Sequence, residues 1–152
     1  MKLKKIRIIN YRCFKDANID FDEHTTLIVG KNGAGKTAIL DAVAVAVSTF
    51  LLGIDGGVGR SILKDDARYE FHDLDGTVDP QHQFPVSIES IGDCLDNHDV
   101  KWVRSLNSES GNTTVKEARE LTNISKEAQK RIMTGDKSLI LPLISYYGTG
   151  RL

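Results

Sequence analysis

The residues Gly30-Lys31-Asn32-Gly33-Ala34-Gly35-Lys36-Thr37 carry the strongest chemical signal in this chain. They match the spacing G-x-x-x-x-G-K-[ST], a loop built to hold phosphates, at every fixed position. Gly30, Gly33 and Gly35 let the backbone curl without Cβ clashes, so successive N–H groups can face one anion. Lys36 can reach the β- and γ-phosphates of a nucleotide as a point charge, and the Thr37 hydroxyl can coordinate Mg²⁺. A helix entered at Ala38 would place the positive end of its dipole beneath the same phosphates. The binding candidates are therefore Gly30 through Thr37, including Lys31, Asn32 and Ala34, with Ala38 behind them and Thr37 as the metal contact. The bland alternative is a chance glycine-rich turn. Eight residues in register outweigh it.

The flanking elements fit the loop. Thr25 to Val29 is a short β-branched, apolar run that reads as a buried strand, and Ala38 to Leu52 reads as a helix. Upstream, Leu3 to Ile9 predicts a first strand. Ala17, Ile19 and Phe21 alternate with Asn18 and Asp20, which predicts a second. Gly53 to Gly59 reads as a flexible linker, Ser61 to Arg68 as a short helix, and Glu70 to Phe84 as a polar loop. Val86 to Ile91 and Asp99 to Leu106 predict a hairpin with Asp96, Asn97 and His98 in its turn. Thr114 and Glu117 have capping-box spacing. Apolar residues then recur at helical intervals from Val115 to Ile132, and Gly135 closes the helix. Leu139 to Tyr146 predicts a last strand.

At 152 residues the chain is one domain or part of one. Lys and Arg total 20 against 21 Asp and Glu, so net charge does not point to nucleic acid. Lys2, Lys4, Lys5, Arg7, Arg12 and Lys15 nevertheless crowd the first fifteen residues without an acid, which reads as a solvated strand edge; a DNA-facing patch is the alternative. Cys13 and Cys94 form neither a disulfide framework nor a metal pair, which fits a cytoplasmic protein with reduced thiols. No secretory signal is visible, because few apolar residues follow Lys5 before Asn10. The apolar run Ala38 to Ile54 contains Asp41, Ser48 and Thr49 and reads as a buried helix rather than a membrane span. His72 with Asp73, Asp75 and Asp79 is a weak metal pattern, since Gly76 breaks the calcium-loop register. Trp102 and Tyr69 could stack on a base, and Tyr11 and Phe14 lie near basic residues, but packing explains all four.

Two segments together resemble a known group. Ile6-Arg7-Ile8-Ile9-Asn10-Tyr11-Arg12-Cys13-Phe14 is similar to the "I-x-N-[FY]-R-x-F" opening of RecF-like and SMC-like ATPases of the ABC ATPase clan. The loop, followed by Ala38-Ile39-Leu40-Asp41-Ala42, is similar to their "G-x-N-G-[AS]-G-K-[ST]-x-[IL]-L-[DE]-A". Leu141 to Leu152 resembles a segment of bacterial AAA/ABC-type ATPases, some of which act in phage defence of the Septu and retron-linked kinds.

The resemblance implies an α/β P-loop fold over residues 1–152: an N-terminal, nucleotide-binding lobe with an antiparallel β-meander and a mixed sheet, incomplete at its C-terminal side. It implies ATP and Mg²⁺ as ligands, a head-to-tail dimer or a partner supplying the C-terminal lobe, and action in DNA repair, chromosome maintenance or phage defence, with DNA as a further partner. It places Arg12 beside the nucleotide; a surface arginine at a strand end is the alternative.

Departures from the family pattern also matter. Asp22-Glu23 is the only Asp-Glu pair, and it precedes the loop instead of ending an apolar Walker B strand. No L-S-G-G-Q-like signature and no switch histidine are present, so no catalytic residue is assigned. Gln81 and Gln83 are weak candidates for the family glutamine near Mg²⁺. The expectation is a fragment or half of a split protein that binds nucleotide and barely hydrolyses it. A small P-loop kinase and a regulatory module that docks on a full-length ATPase remain alternatives.

Overall fold

The structure, a computed structural model, describes residues 1–74 and 77–148. Four antiparallel strands form the main sheet: β1 (Lys2–Tyr11), β2 (Phe14–Asp20), β5 (Val86–Cys94) and β6 (Asn97–Leu106), in the order β2-β1-β5-β6. Alternation sets its faces. Ile6 and Ile8 lie opposite Ile19 and Ala17 of β2 and turn inward, whereas Lys5 and Arg7 point outward. Helix α1 (Lys36–Ser48) lies on the inner face. Its Ala38, Ala42, Val45 and Ala46 form one core with Ile6, Ile8, Val86 and Ile88. Lys36–Gly53 is long and apolar enough to cross a membrane by length and composition alone, but half of it is buried inside the fold.

A second core joins the end of α1 to α2 (Arg119–Met133). It gathers Phe50, Cys94, Val100, Trp102, Ala118 and Leu121. Helix α2 buries Leu121, Thr122, Ser125 and Ala128 on one stripe and leaves a charged face to solvent. It crosses so near Gly53 that a Cβ there would stand 1.9 Å from Ser125 Oγ. Trp102 Nε1 donates to Ala46 O at 3.0 Å. The buried Arg104 donates to Thr49 Oγ1 and Thr114 O, close to the negative end of the α1 dipole.

Several expectations change. The basic start is not a sheet edge, since β1 is paired on both sides. Its cations meet acids brought in by the neighbours: Lys2 meets Glu23, Lys4 meets Asp93 and Asp99, Lys5 meets Asp20, and Arg7 meets Asp16 and Glu89. The expected loop at Glu70 to Phe84 contains a hairpin, β3 (Tyr69–Leu74) and β4 (Thr77–His82). Its polar composition hid the alternation. Ser61 to Arg68 holds only a single 3₁₀ turn, Lys64–Asp66.

Helix α1 stops at Ser48 and continues as a 3₁₀ turn, Thr49–Gly53. The capping box at Thr114 does not form, because Thr114 Oγ1 accepts from Ser105 N; α2 starts at Arg119 behind a 3₁₀ turn, Lys116–Ala118. Trp102 is buried in the core and offers no face to a base, and Tyr11 is likewise buried. Thr25 to Val29 and Leu139 to Tyr146 form no strand. Their composition suits a sheet interior, but neither finds a strand partner among the described residues, and Leu27, Val29, Ile140 and Leu143 are 77–95% exposed. The side chains of His72, Asp73 and Asp75 lie outside the described residues; among those described, no group of three metal-ligating side chains occurs.

Candidate nucleotide site

Gly33 and Gly35 both adopt positive φ, at 83° and 87°. These two reversals turn the loop so that α1 begins at Lys36 with Gly35 as its N-cap. The first regular bond of the helix joins Ile39 N to Gly35 O at 3.0 Å. The amides of Lys36, Thr37 and Ala38 precede it, at the positive end of a 13-residue helix, where orphan N–H groups collect. Lys36 Nζ folds back over the loop and donates to Gly30 O and Lys31 O, both at 2.7 Å. The lysine is thus held over the curl it would share with a phosphate.

Arg12, Cys13, Asn32, Gly33, Gly35, Lys36, Thr37 and Ala38 line one open cleft of about 470 Å³. The structure therefore brings Arg12 to the loop, together with most of the sequence-predicted residues. Gly30 and Lys31 contribute carbonyls to Lys36 instead of lining the cleft, and Ala34 closes the turn through Ala34 N to Lys31 O at 3.2 Å. Thr37 is exposed at the mouth. Gln81 and Gln83 are elsewhere: Gln81 bonds Asp79 in the β4 region, and Gln83 reaches Gln81 O. Asp22 spends a carboxylate oxygen on the His24 and Thr25 amides, and Glu23 pairs with Lys2. Neither acid joins the cleft lining.

Arg12 is reached by a tight turn after β1. Asn10 and Arg12 both have φ of 50°, which costs about 1 kcal/mol or more at a non-glycine residue and persists only where neighbours hold it. The holders are visible. Arg12 N donates to Asp66 O at 2.7 Å, and Arg68 N donates to Asn10 O at 2.9 Å. The side chain is fixed as well, by Nε on Asp66 Oδ1 at 2.8 Å and Nη1 on Asp41 Oδ2 at 2.6 Å. Burial works against the Arg12 charge, but Asp66 and Asp41 outweigh it and push its pKa up. Burial also pushes Asp41 up, yet Tyr146, Arg12 and Arg60 prevail and hold it below the ordinary carboxylate value. Beside them, burial drives the Tyr11 phenol well above its usual range.

The sequence reading assigned no role to Asp41, Asp66 or Arg60. The signals for Asp41 were an acid within an otherwise apolar helix and its match to the [DE] position of the family pattern. Asp66 sits in a stretch read as a short helix and Arg60 between that stretch and the linker before it, and nothing local announces their partners.

The cleft has the donor set that a phosphate needs: a cationic amine, a guanidinium, and amides at a helix start. The two bonds that hold Lys36 now run from its ammonium to uncharged carbonyls, whereas a bond to phosphate adds the attraction of opposite charges, so exchange onto an anion is favourable. The Thr37 hydroxyl at the mouth is the group that would face a Mg²⁺ ion.

The chain is similar to several known proteins. Part of the chain is 50% identical over 44 residues to the DNA double-strand break repair Rad50 ATPase of Archaeoglobus fulgidus, which is 29% of this chain and 5% of that protein. It is 49% identical over 43 residues to the DNA replication and repair protein RecF of Flavobacterium johnsoniae, 28% of this chain and 12% of that protein. It is 33% identical over 89 residues to RecF of Chlorobium phaeobacteroides, 59% of this chain and 23% of that protein. The chain thus spans less than a quarter of each of these curated relatives.

A solved structure from work on ATP-driven dimerization and DNA stimulated activation of SMC ATPases shares the fold, with a TM-score of 0.51 and 19% identity over 82% of this chain and 80% of that one. The family model described as AAA domain (AAA_23) matches residues 5–152. The chain belongs to this AAA domain family, with the mixed α/β fold of the SMC ATPase structure.

Proposed function

We propose that this chain is the nucleotide-binding lobe of an ATPase of the RecF, Rad50 and SMC kind, acting in DNA repair, and that it binds ATP or ADP with Mg²⁺ at residues 30–38. The observation that carries the reading is Lys36, held by two loop carbonyls at 2.7 Å in a cleft shared with Arg12. In this reading Lys36 and Arg12 neutralise phosphate charge. The amides of Gly33 and of Gly35 to Ala38 cradle phosphate oxygens, and the Thr37 hydroxyl takes a Mg²⁺ position. Gly30, Lys31, Asn32 and Ala34 shape the turn.

No carboxylate in this sequence occupies the Walker B context that would activate water. Hydrolysis is therefore assigned to an assembly that brings such a carboxylate to the site, and these 152 residues alone turn over negligibly. The cytoplasm is its place of action. The relatives named for DNA repair favour repair over phage defence, and DNA is a partner of the assembly.

Thermal unfolding tests the binding step. A ligand that binds only the folded state at about 100 times its Kd stabilises by about 2.7 kcal/mol, so Mg-ADP should raise the melting temperature of the wild type and not of Lys36→Ala. An equal shift in both, or none in either, contradicts the site.

A further inference from the structure

Resting on the nucleotide reading above, we propose that Asp41 is a positioning residue that couples docking of residues 139–148 onto α1 to nucleotide binding, through Arg12. The Asp41 side chain is 6% exposed and draws partners from three distant parts of the chain. Oδ2 takes Arg12 Nη1 at 2.6 Å. Oδ1 takes Arg60 Nη2 at 2.9 Å and the Tyr146 hydroxyl. Arg60 also lies over the Tyr146 ring, 5.0 Å from its centroid. Around this contact, Ile144 and Tyr147 share an apolar groove with Leu40, Val43 and Val47 of α1. The residue that pins this segment is therefore the residue that holds the arginine at the phosphate loop.

A carboxylate this buried must stay compensated. With Arg60 and Tyr146 satisfying Oδ1, Arg12 is needed only at Oδ2. Its Nε is on Asp66 and its Nη1 on Asp41, so the two carboxylates together fix the guanidinium of a residue that lines the cleft. When Tyr146 leaves, Oδ1 loses a donor and Arg12 is drawn toward Asp41, away from the phosphate position. Two arginines and two carboxylates cancel in charge, so the effect is one of placement, not of net field. Docking of the segment and nucleotide binding then favour each other, and by linkage the coupling is the same in both directions.

A double-mutant cycle tests this, with Mg-ADP as the probe in calorimetry on wild type, Tyr146→Phe, Arg12→Ala and the double variant. Tyr146→Phe keeps the ring over Arg60 and removes only the hydroxyl. It should weaken binding by about 5-fold in the wild-type background and leave Arg12→Ala unchanged, as a coupling at the low end of the usual range requires. Trypsin cleavage at Lys137 is the second readout: Mg-ADP should protect this bond in the wild type and protect it less in Tyr146→Phe. Equal weakening in both backgrounds, or no weakening, with protection unchanged, overturns the coupling while leaving the nucleotide site standing. Absence of Mg-ADP binding by folded wild type overturns the site reading, and the coupling with it.

Discussion

Phe14 and Gly35 meet so closely that no side chain fits between them: a Cβ on Gly35 would stand 2.6 Å from Phe14 Cζ. This contact locks the start of β2 against the phosphate loop. It explains why an aromatic residue near basic ones is a packing group rather than a base-stacking one. It also places Cys13, whose Sγ would lie 2.6 Å from the same Cβ, against the loop.

Gly35→Ala therefore meets two obstacles, the positive φ and the contact. It is expected to lose about 1–3 kcal/mol of stability and to weaken nucleotide binding. Gly33→Ala meets only the first, since nothing lies within 4 Å of its Cβ position, and should lose about 1 kcal/mol. Urea denaturation of the two variants reads the difference. Equal losses would show that the Phe14 and Cys13 contact yields freely.

Trp102 ties the sheet to the last turn of α1. Trp102→Phe removes the indole bond to Ala46 O, which keeps the Thr49 amide as its other donor, so a loss of about 1 kcal/mol is expected. A change within about 0.5 kcal/mol in the same denaturation assay would mean that the indole acts through its bulk alone.

Acid stability depends on Asp93. Lys4 bonds it at 2.6 Å and the Asp99 amide at 3.0 Å, which lowers its pKa from 3.8 to about 2. A folded-state pKa below the unfolded value contributes stability that is complete above pH 3.8 and disappears as pH falls through about 2. The wild type should therefore lose its melting-temperature advantage over Asp93→Asn between pH 5 and pH 2. A constant advantage across that range would assign the effect to packing.

Much of this was legible in the sequence, for physical reasons. The alternation of Ala17, Ile19 and Phe21 with Asn18 and Asp20 specified a half-buried strand, and in the structure Ala17 and Ile19 are partly buried while Asn18 and Asp20 are exposed. Gly33, Gly35 and Lys36 announced the loop because few other residues allow that curl with a charge at its end. Thr25 to Val29 and Leu139 to Tyr146 read as strands because their composition suits a sheet interior, yet strand pairing needs a neighbour, and composition says nothing about where it comes from. The β3–β4 hairpin was missed because His72, Asp73, Asp79 and Gln81 give its strands a polar composition. Asp41 and Arg60 were missed because their partners lie up to 105 residues away.

The exposed apolar residues of these two unpaired segments have a measurable consequence. Leu143→Lys or Val29→Lys should reduce concentration-dependent light scattering of the purified chain relative to wild type. Unchanged scattering would show that these segments do not drive self-association.

Calorimetric titration of Mg-ATP into wild type and Lys36→Ala, with phosphate release followed in the same samples, tests the central claim most directly. The account predicts saturable binding to the wild type, loss of binding in Lys36→Ala, and negligible phosphate release. Binding retained in Lys36→Ala would contradict the assignment of the loop, and enzyme-like phosphate release by the wild type would contradict the assignment of hydrolysis to a larger assembly.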